Sequence, residues 1–182
     1  MKITKGSMGG LLIIEPRVFE DERGYFFESF NLEAFQKHLE SPVMFCQDNE
    51  SKSNKGIIRG LHFQAPPMAQ GKLVRVVKGS VRDVVVDIRK SSPTYGQKFE
   101  IILSEKNKIQ LYLPPGFAHG FSALEDETIF SYKCTEYYAP ETERCILYND
   151  EDLNIDWGVT QEIVSQKDLI GTKLKNINSP FS

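Results

Sequence analysis

The chain has 182 residues, with 22 Lys and Arg against 25 Asp and Glu, and a formal net charge of −3. That length suits one domain with a sizeable core. The acidic balance argues against nucleic acid as a partner, because its binders present a basic patch. No apolar run approaches the ~18 residues of a membrane-spanning helix, so no membrane partner is expected. Met8-Gly9-Gly10 interrupts the basic start, and the apolar run from Leu11 to Ile14 is too short for a secretory signal. Cys46, Cys134 and Cys145 are odd in number and lack CxxC spacing. They read as reduced core residues of a cytoplasmic protein rather than a disulfide framework.

In chain order, Leu11 to Phe19 reads as a strand, with Pro16 suggesting a sheet edge. Asp21-Glu22-Arg23-Gly24 is a turn into an aromatic, alternating strand from Tyr25 to Phe30. Asn31 can cap a short helix over Leu32 to Leu39, where Leu32, Phe35 and Leu39 share a face. Val43 to Asn49 is extended, and Ser51 to Lys55 reads as a polar loop.

Next comes Ile57 to Gln64, a strand ended by Pro66-Pro67. Strict alternation would place Arg59 and His62 on opposite faces. Gly60 lies between them, and a glycine inside a strand marks a bulge or a close backbone approach. A bulge there would turn Arg59 and His62 into one cavity. Lys72 to Lys78 and Val81 to Arg89 flank Gly79-Ser80, a hairpin signal. In the second arm Asp83 and Asp87 share a face with Val81 and Val85, and carboxylates among valines need partners or water. Phe99 to Leu103 and Ile109 to Leu113 flank a polar turn. Pro114-Pro115-Gly116 leads into His119-Gly120-Phe121, and Thr128 to Cys134 and Cys145 to Tyr148 are further strands. Beyond Trp157 the chain turns polar, and Ser165-Gln166-Lys167-Asp168 can start a helical turn. About ten to twelve short strands with turn signals roughly every 8–12 residues predict an all-β jelly roll able to hold a ligand between its sheets.

The side chains that can do chemistry are His62, His119, Lys72, Tyr132, Arg59, Arg23, Asp83 and Asp168. Metal is disfavoured. A cupin-type jelly roll commonly ligates through His-x-His, a Glu and a distant His. Here His62 is followed by Phe63-Gln64, and no Glu comes before Gly71. Two histidines fall short of the three protein ligands of a catalytic site. No nucleophile elbow, Walker loop or dinucleotide fingerprint is present. Proton transfer remains, with His62 as a base, Tyr132 as an acid and Lys72 as a stabiliser of negative charge. The plainer alternatives are a structural histidine, a solvated lysine and a core tyrosine.

Asp21-Glu22-Arg23-Gly24, Phe27-Glu28-Ser29, Gln47-Asp48-Asn49, Arg59-Gly60-Leu61-His62-Phe63-Gln64, Gln70-Gly71-Lys72-Leu73-Val74-Arg75, Pro115-Gly116-Phe117-Ala118-His119-Gly120-Phe121, Tyr132-Lys133 and Tyr148-Asn149-Asp150 follow one another in register. In this the chain resembles the dTDP-4-dehydrorhamnose 3,5-epimerase family from about Leu12 to Asp168. The resemblance implies a single cupin-like jelly-roll domain over residues 1–182, with a polar C-terminal tail from about residue 158. It implies no metal and no organic cofactor, a dTDP-sugar substrate, and a homodimer with shared active sites. The activity implied is inversion at C3 and C5 beside a C4 ketone.

By the same resemblance, His62 is the general base and Asp168 orients it. Tyr132 is the opposite-face acid, and Lys72 stabilises the enolate. Arg59 and His119 sit on the substrate. Gln47, Asp48, Asn49, Glu143 and Lys167 line the site, and Tyr138 stacks on thymine. Phe19, Arg23 and Glu28 reach in from the partner subunit. Tyr148, Glu50 and Gly158 depart from the family pattern, and Glu50 is expected at the pocket edge. The rival readings are an epimerase acting on C3 or C5 alone, a non-catalytic sugar-nucleotide-binding cupin, and a metal-dependent cupin oxygenase.

Overall fold

The computed structural model describes residues 1–182 and contains fourteen strands and two short α-helices. The first sheet runs in the order β1 (Lys2–Lys5), β2 (Leu12–Glu15), β10 (Gln110–Leu113), β7 (Lys72–Lys78), β12 (Thr128–Cys134), β5 (Gln47–Ser53). The second runs β13 (Glu143–Cys145), β6 (Ile57–Gln64), β11 (Phe117–Ala123), β8 (Ser80–Asp87), β9 (Lys98–Ser104), with β14 (Ile163–Val164) added in parallel to β6. A separate antiparallel arm joins β3 (Val18–Asp21) to β4 (Gly24–Phe27) across the expected turn. The jelly-roll, cupin-like expectation describes this architecture.

The Gly79-Ser80 hairpin does not form, because β7 and β8 lie in different sheets. The turn is a corner at which the chain crosses the sandwich. Gly79 takes φ +78°, and a Cβ there would lie 2.4 Å from Thr128 Oγ1, so the corner needs glycine. The reason for crossing is burial. In β8 Val81 and Val85 join the cluster between the sheets, while Val84 and Val86 join the cluster behind the second sheet. A strand apolar on both faces must be covered on both. β9 and β10 likewise flank their polar turn but belong to different sheets.

Three further expectations need correction. Pro16 follows the end of β2, which lies between β1 and β10 and is no edge. The polar loop expected from Ser51 is strand as far as Ser53. The strand expected over Cys145 to Tyr148 is Glu143–Cys145, and Ile146 only bridges Thr172.

Both outer faces carry apolar cover over part of their area. Asn31 Oδ1 accepts the Ala34 N–H at 2.9 Å and caps α1 (Leu32–Gln36), as its type predicts. The helix presses Phe35 edge-on against Tyr112 at 5.0 Å between ring centroids. Behind the second sheet, Trp157 and Leu174 pack with Ile58, Leu61 and Val86. The polar segment after Trp157 therefore contributes apolar anchors to a core. Asp87, fully buried, accepts bonds from Arg89, Ser92 and Thr94. Burial pushes its carboxyl up, but these bonds outweigh it and hold the group at about 2.

The β6–β11 ladder creates the site. His62 pairs with His119 and Arg59 with Phe121, so Gly60-Leu61 on β6 oppose Gly120 alone on β11. This is the expected β-bulge. Gly60 has φ +136°, and a Cβ on it would stand 2.4 Å from Gly120 Cα, so the two backbones touch where the side chains are absent.

Candidate active site

The bulge turns Arg59 and His62 toward one cavity of about 300 Å³ between the sheets. β7 supplies Lys72, β11 supplies His119 and Phe121, β12 supplies Phe130 and Tyr132, and β5 supplies Ser51. Lys167 and Asp168 enter from α2 (Gln166–Leu169), whose N-cap Ser165 also lines the space. Residues more than 100 positions apart in the chain thus converge.

His62 Nε2 lies 2.5 Å from Asp168 Oδ1. Asp168 is 2% exposed, and its other oxygen receives the Gly60 N–H at 3.4 Å. Burial raises the Asp168 carboxyl. The His62 hydrogen bond and charge, together with bonds from Gly60 and Ser165, more than offset this and hold it below the usual carboxylate range. An ionised Asp168 keeps the imidazole proton on Nε2 and leaves the Nδ1 lone pair free, which is the arrangement of a base.

Lys72 is half-buried and forms no ion pair; its Nζ lies 5.8 Å from the centroid of the Tyr132 ring. Burial lowers its ammonium from the usual range, while the charges of Cys134, Glu143 and Asp83 oppose that shift. An unpaired amine in a cavity can meet developing negative charge. Burial likewise raises the Tyr132 phenol, with Cys134 adding to it and Arg59 opposing, so its proton is retained.

His119 and Asp83 form a second, deeper pair at 2.8 Å, with exposures of 6% and 0%. Arg59 stands at the exposed mouth and donates from Nε to Ser53 Oγ at 3.1 Å. An adjoining recess of about 80 Å³ shares His62, Lys72 and Tyr132 with the cavity and adds Gln47, Asn49, Tyr138 and Glu143. There Glu143 accepts bonds from the Tyr138 hydroxyl at 3.0 Å and from Lys167. Burial raises Glu143, but these two partners and the His62 charge bring it below its usual range.

Four expected residues lie elsewhere in the chain's own fold. Asp48 faces outward and pairs with Lys133 at 2.9 Å. Phe19 and Arg23 belong to the exposed β3–β4 arm, where Arg23 pairs with Asp21. Glu28 accepts from Asn31 Nδ2 at 3.2 Å. Glu50 also points outward and not into the pocket.

Several of the candidate metal donors are held in other bonds, His62 Nε2 by Asp168 and His119 Nε2 by Asp83. Gln64, at the second position of the broken His-x-His, donates to Met68 and Tyr137 carbonyls. His62, Cys145 and Asp168 offer three atoms within 4.8 Å of one another. However, the first and last are bonded together, and burial with the Asp168 charge pushes the Cys145 thiol up to about 12, so it stays protonated. Sequence reasoning missed Ser51, Ser165 and the stacked Phe121 and Phe130. Alternation of polar residues through Gln47, Asn49, Ser51 and Ser53 was the available signal for Ser51.

A cupin-like barrel whose cavity pairs a His–Asp couple with a lysine and a tyrosine defines a class: proteins equipped to move protons at a carbon beside a carbonyl. Comparison with known proteins narrows the class. Residues 5–176 match the family described as dTDP-4-dehydrorhamnose 3,5-epimerase. The chain is 52% identical over 173 residues to the enzyme of that name from Shigella flexneri, covering 95% of this chain and 96% of the relative. The 3,5-epimerase from Legionella pneumophila, solved in complex with dTDP-4-keto-L-rhamnose, superposes with a TM-score of 0.93 at 47% identity, covering 97% of this chain and 94% of that one. A 3′-monoepimerase from Streptomyces bikiniensis in complex with dTDP-quinovose gives a TM-score of 0.90 at 31% identity over 94% of this chain and 87% of that one. The chain belongs to the dTDP-4-dehydrorhamnose 3,5-epimerase family.

Proposed function

We infer that this protein is an isomerase that inverts C3 and C5 of dTDP-4-dehydro-6-deoxy-D-glucose to give dTDP-4-dehydro-L-rhamnose. The observation that carries the reading is the His62–Asp168 couple, 2.5 Å apart and sharing one cavity with Lys72 and Tyr132, in a chain of this family. The C4 ketone acidifies the protons on C3 and C5. His62 takes one, the enolate charge falls on the C4 oxygen beside Lys72, and Tyr132 returns a proton from the other face. His119, oriented by Asp83, contacts the sugar from within the barrel. Arg59 at the mouth meets the diphosphate. Tyr138, held by Gln47 through its N–H at 2.9 Å, stacks on thymine, and Glu143 and Lys167 close that end. Remote binding of the nucleotide holds the sugar for reaction.

The reading includes a homodimer with shared sites. The β3–β4 arm exposes Phe19 (50%), Tyr25 (56%) and Phe26 (69%), apolar surface of the kind that partners cover. Arg23 and Glu28 then reach a neighbour's nucleotide. Mixing Arg23→Ala with His62→Ala subunits restores part of the activity if sites are shared, because one hybrid site is intact. Verified heterodimers without activity count against sharing. Three unpaired cysteines fit a cytoplasmic location.

The test of the reaction is NMR with dTDP-4-dehydro-6-deoxyglucose in heavy water. Deuterium enters both C3 and C5. Label at one carbon alone supports the second reading, a monofunctional epimerase, which the 0.90 TM-score to a 3′-monoepimerase keeps in view. Absence of label and turnover overturns the enzyme reading.

A further inference from the structure

The inward face of β5 carries Gln47, Asn49, Ser51 and Ser53, while Asp48, Glu50 and Lys52 face out. Three of the four inward side chains have partners. Gln47 bonds Asn49 and the Tyr138 N–H, Asn49 donates to Cys134 Sγ, and Ser53 accepts from Arg59. Ser51 Oγ is buried and has none. A buried hydroxyl without a partner is costly unless a ligand supplies one.

The neighbours of Ser51 leave it unsatisfied. Its pairing partner across β12 is Phe130, which stacks on Phe121 at 4.2 Å and lies 6.1 Å from the His119 ring. The wall beside the hydroxyl is aromatic, and the open side is the cavity that Ser51 helps to line. Along the ladder, Ser53 faces Thr128, Ser51 faces Phe130 and Asn49 faces Tyr132. Ser51 therefore stands between Arg59, which leans on Ser53, and the Tyr132 phenol.

We propose that Ser51 is a substrate-contacting residue that holds the C2 hydroxyl of the sugar and fixes the ring while its neighbours invert. The assignment rests on the epimerase reading above and follows from which oxygens move. The C4 oxygen gains charge during the reaction, and the Lys72 amine in the same cavity is the group that meets it. The C3 hydroxyl swings when C3 inverts. The C2 stereocentre is untouched, so a fixed hydroxyl can bond the C2 hydroxyl before and after reaction. Serine both donates and accepts, as that hydroxyl does.

A double-mutant cycle tests this. Wild type and Ser51→Ala are each assayed with dTDP-4-dehydro-6-deoxyglucose and its 2-deoxy counterpart. Ser51→Ala lowers kcat/KM on the parent sugar about 10-fold, and wild type loses about 10-fold on the 2-deoxy sugar, the scale of one hydrogen bond whose partner is left buried. The two losses are not additive: Ser51→Ala acts on both sugars alike. Affinity for dTDP alone is unchanged. Losses that multiply, a parent rate equal to wild type, or weakened dTDP binding overturn the assignment. Wild-type turnover in the same assay keeps the epimerase reading separate, since it stands even when the cycle is additive.

Discussion

His62→Ala should remove both solvent exchange and epimerisation, lowering turnover by at least the ~10²–10⁴-fold of a positioned acid–base group, while dTDP affinity stays within a few-fold. The geometry separates the two functions. His62 reaches the cavity from the bulged part of β6, whereas Tyr138, Glu143 and Lys167, the groups proposed to meet the nucleotide, are hydrogen-bonded to one another and not to the imidazole. The variant leaves Asp168 without the partner that most lowers its carboxyl, so burial then acts on it unopposed by His62. A depressed carboxylate contributes its interaction above the ordinary carboxylate range and loses it as pH falls through the lowered value. In the intact protein Asp168 therefore stays ionised below the ordinary carboxylate range. Turnover, deuterium incorporation and dTDP titration check these statements together. Near-normal turnover in His62→Ala would remove the base assignment.

Local pattern made much of the fold legible, because period-two burial and turn chemistry are local quantities. Thr128 to Cys134 reads as a strand from its alternation and is one. Asn31 reads as a cap and is one. Gly60 reads as a bulge, because a glycine within a polar-and-apolar strand has few other uses, and the register shift lies beside it. The Gly79-Ser80 corner was misread for the opposite reason. A hairpin and a sheet-crossing corner ask the same of the turn residues. What separates them is whether both faces of the next strand are buried, and that depends on Trp157 and Leu174 from far along the chain.

The site divides along the same line. Lys72 and Tyr132 come from strands whose inward faces alternation gives, His62 joins them through the bulge at Gly60, and with His119 they share a cavity. Asp168 could be placed beside His62 only through the family resemblance, because 106 residues separate the bonded pair. Ser51 was hidden by composition. Ser51-Lys52-Ser53-Asn54-Lys55 looks like solvated loop, yet β12 extends the ladder to Thr128 opposite Ser53 and draws Ser51 into the wall. Phe19, Arg23 and Glu28 have no place in the chain's own cavity, and any role they have there needs a second copy.

Tyr132→Phe should divide two events that normally occur together. The substitution removes one oxygen and keeps the ring, which packs against the between-sheet core and lies 6.1 Å from Phe130, so the fold stays intact. The lost hydroxyl makes no hydrogen bond within the protein, and burial holds its proton in place against release to water. Its use is therefore toward the cavity. His62, bonded to Asp168, still removes the substrate proton, and Lys72 still meets the enolate oxygen. The enolate can then recover deuterium only from His62, on the face from which the proton left. The expected result in heavy water is exchange with retained configuration and inverted product reduced by ~10²-fold or more, the worth of one positioned acid. If exchange falls as far as inversion, Tyr132 acts in forming the enolate. If inversion continues at the wild-type rate, water or another side chain delivers the proton and Tyr132 is a packing residue.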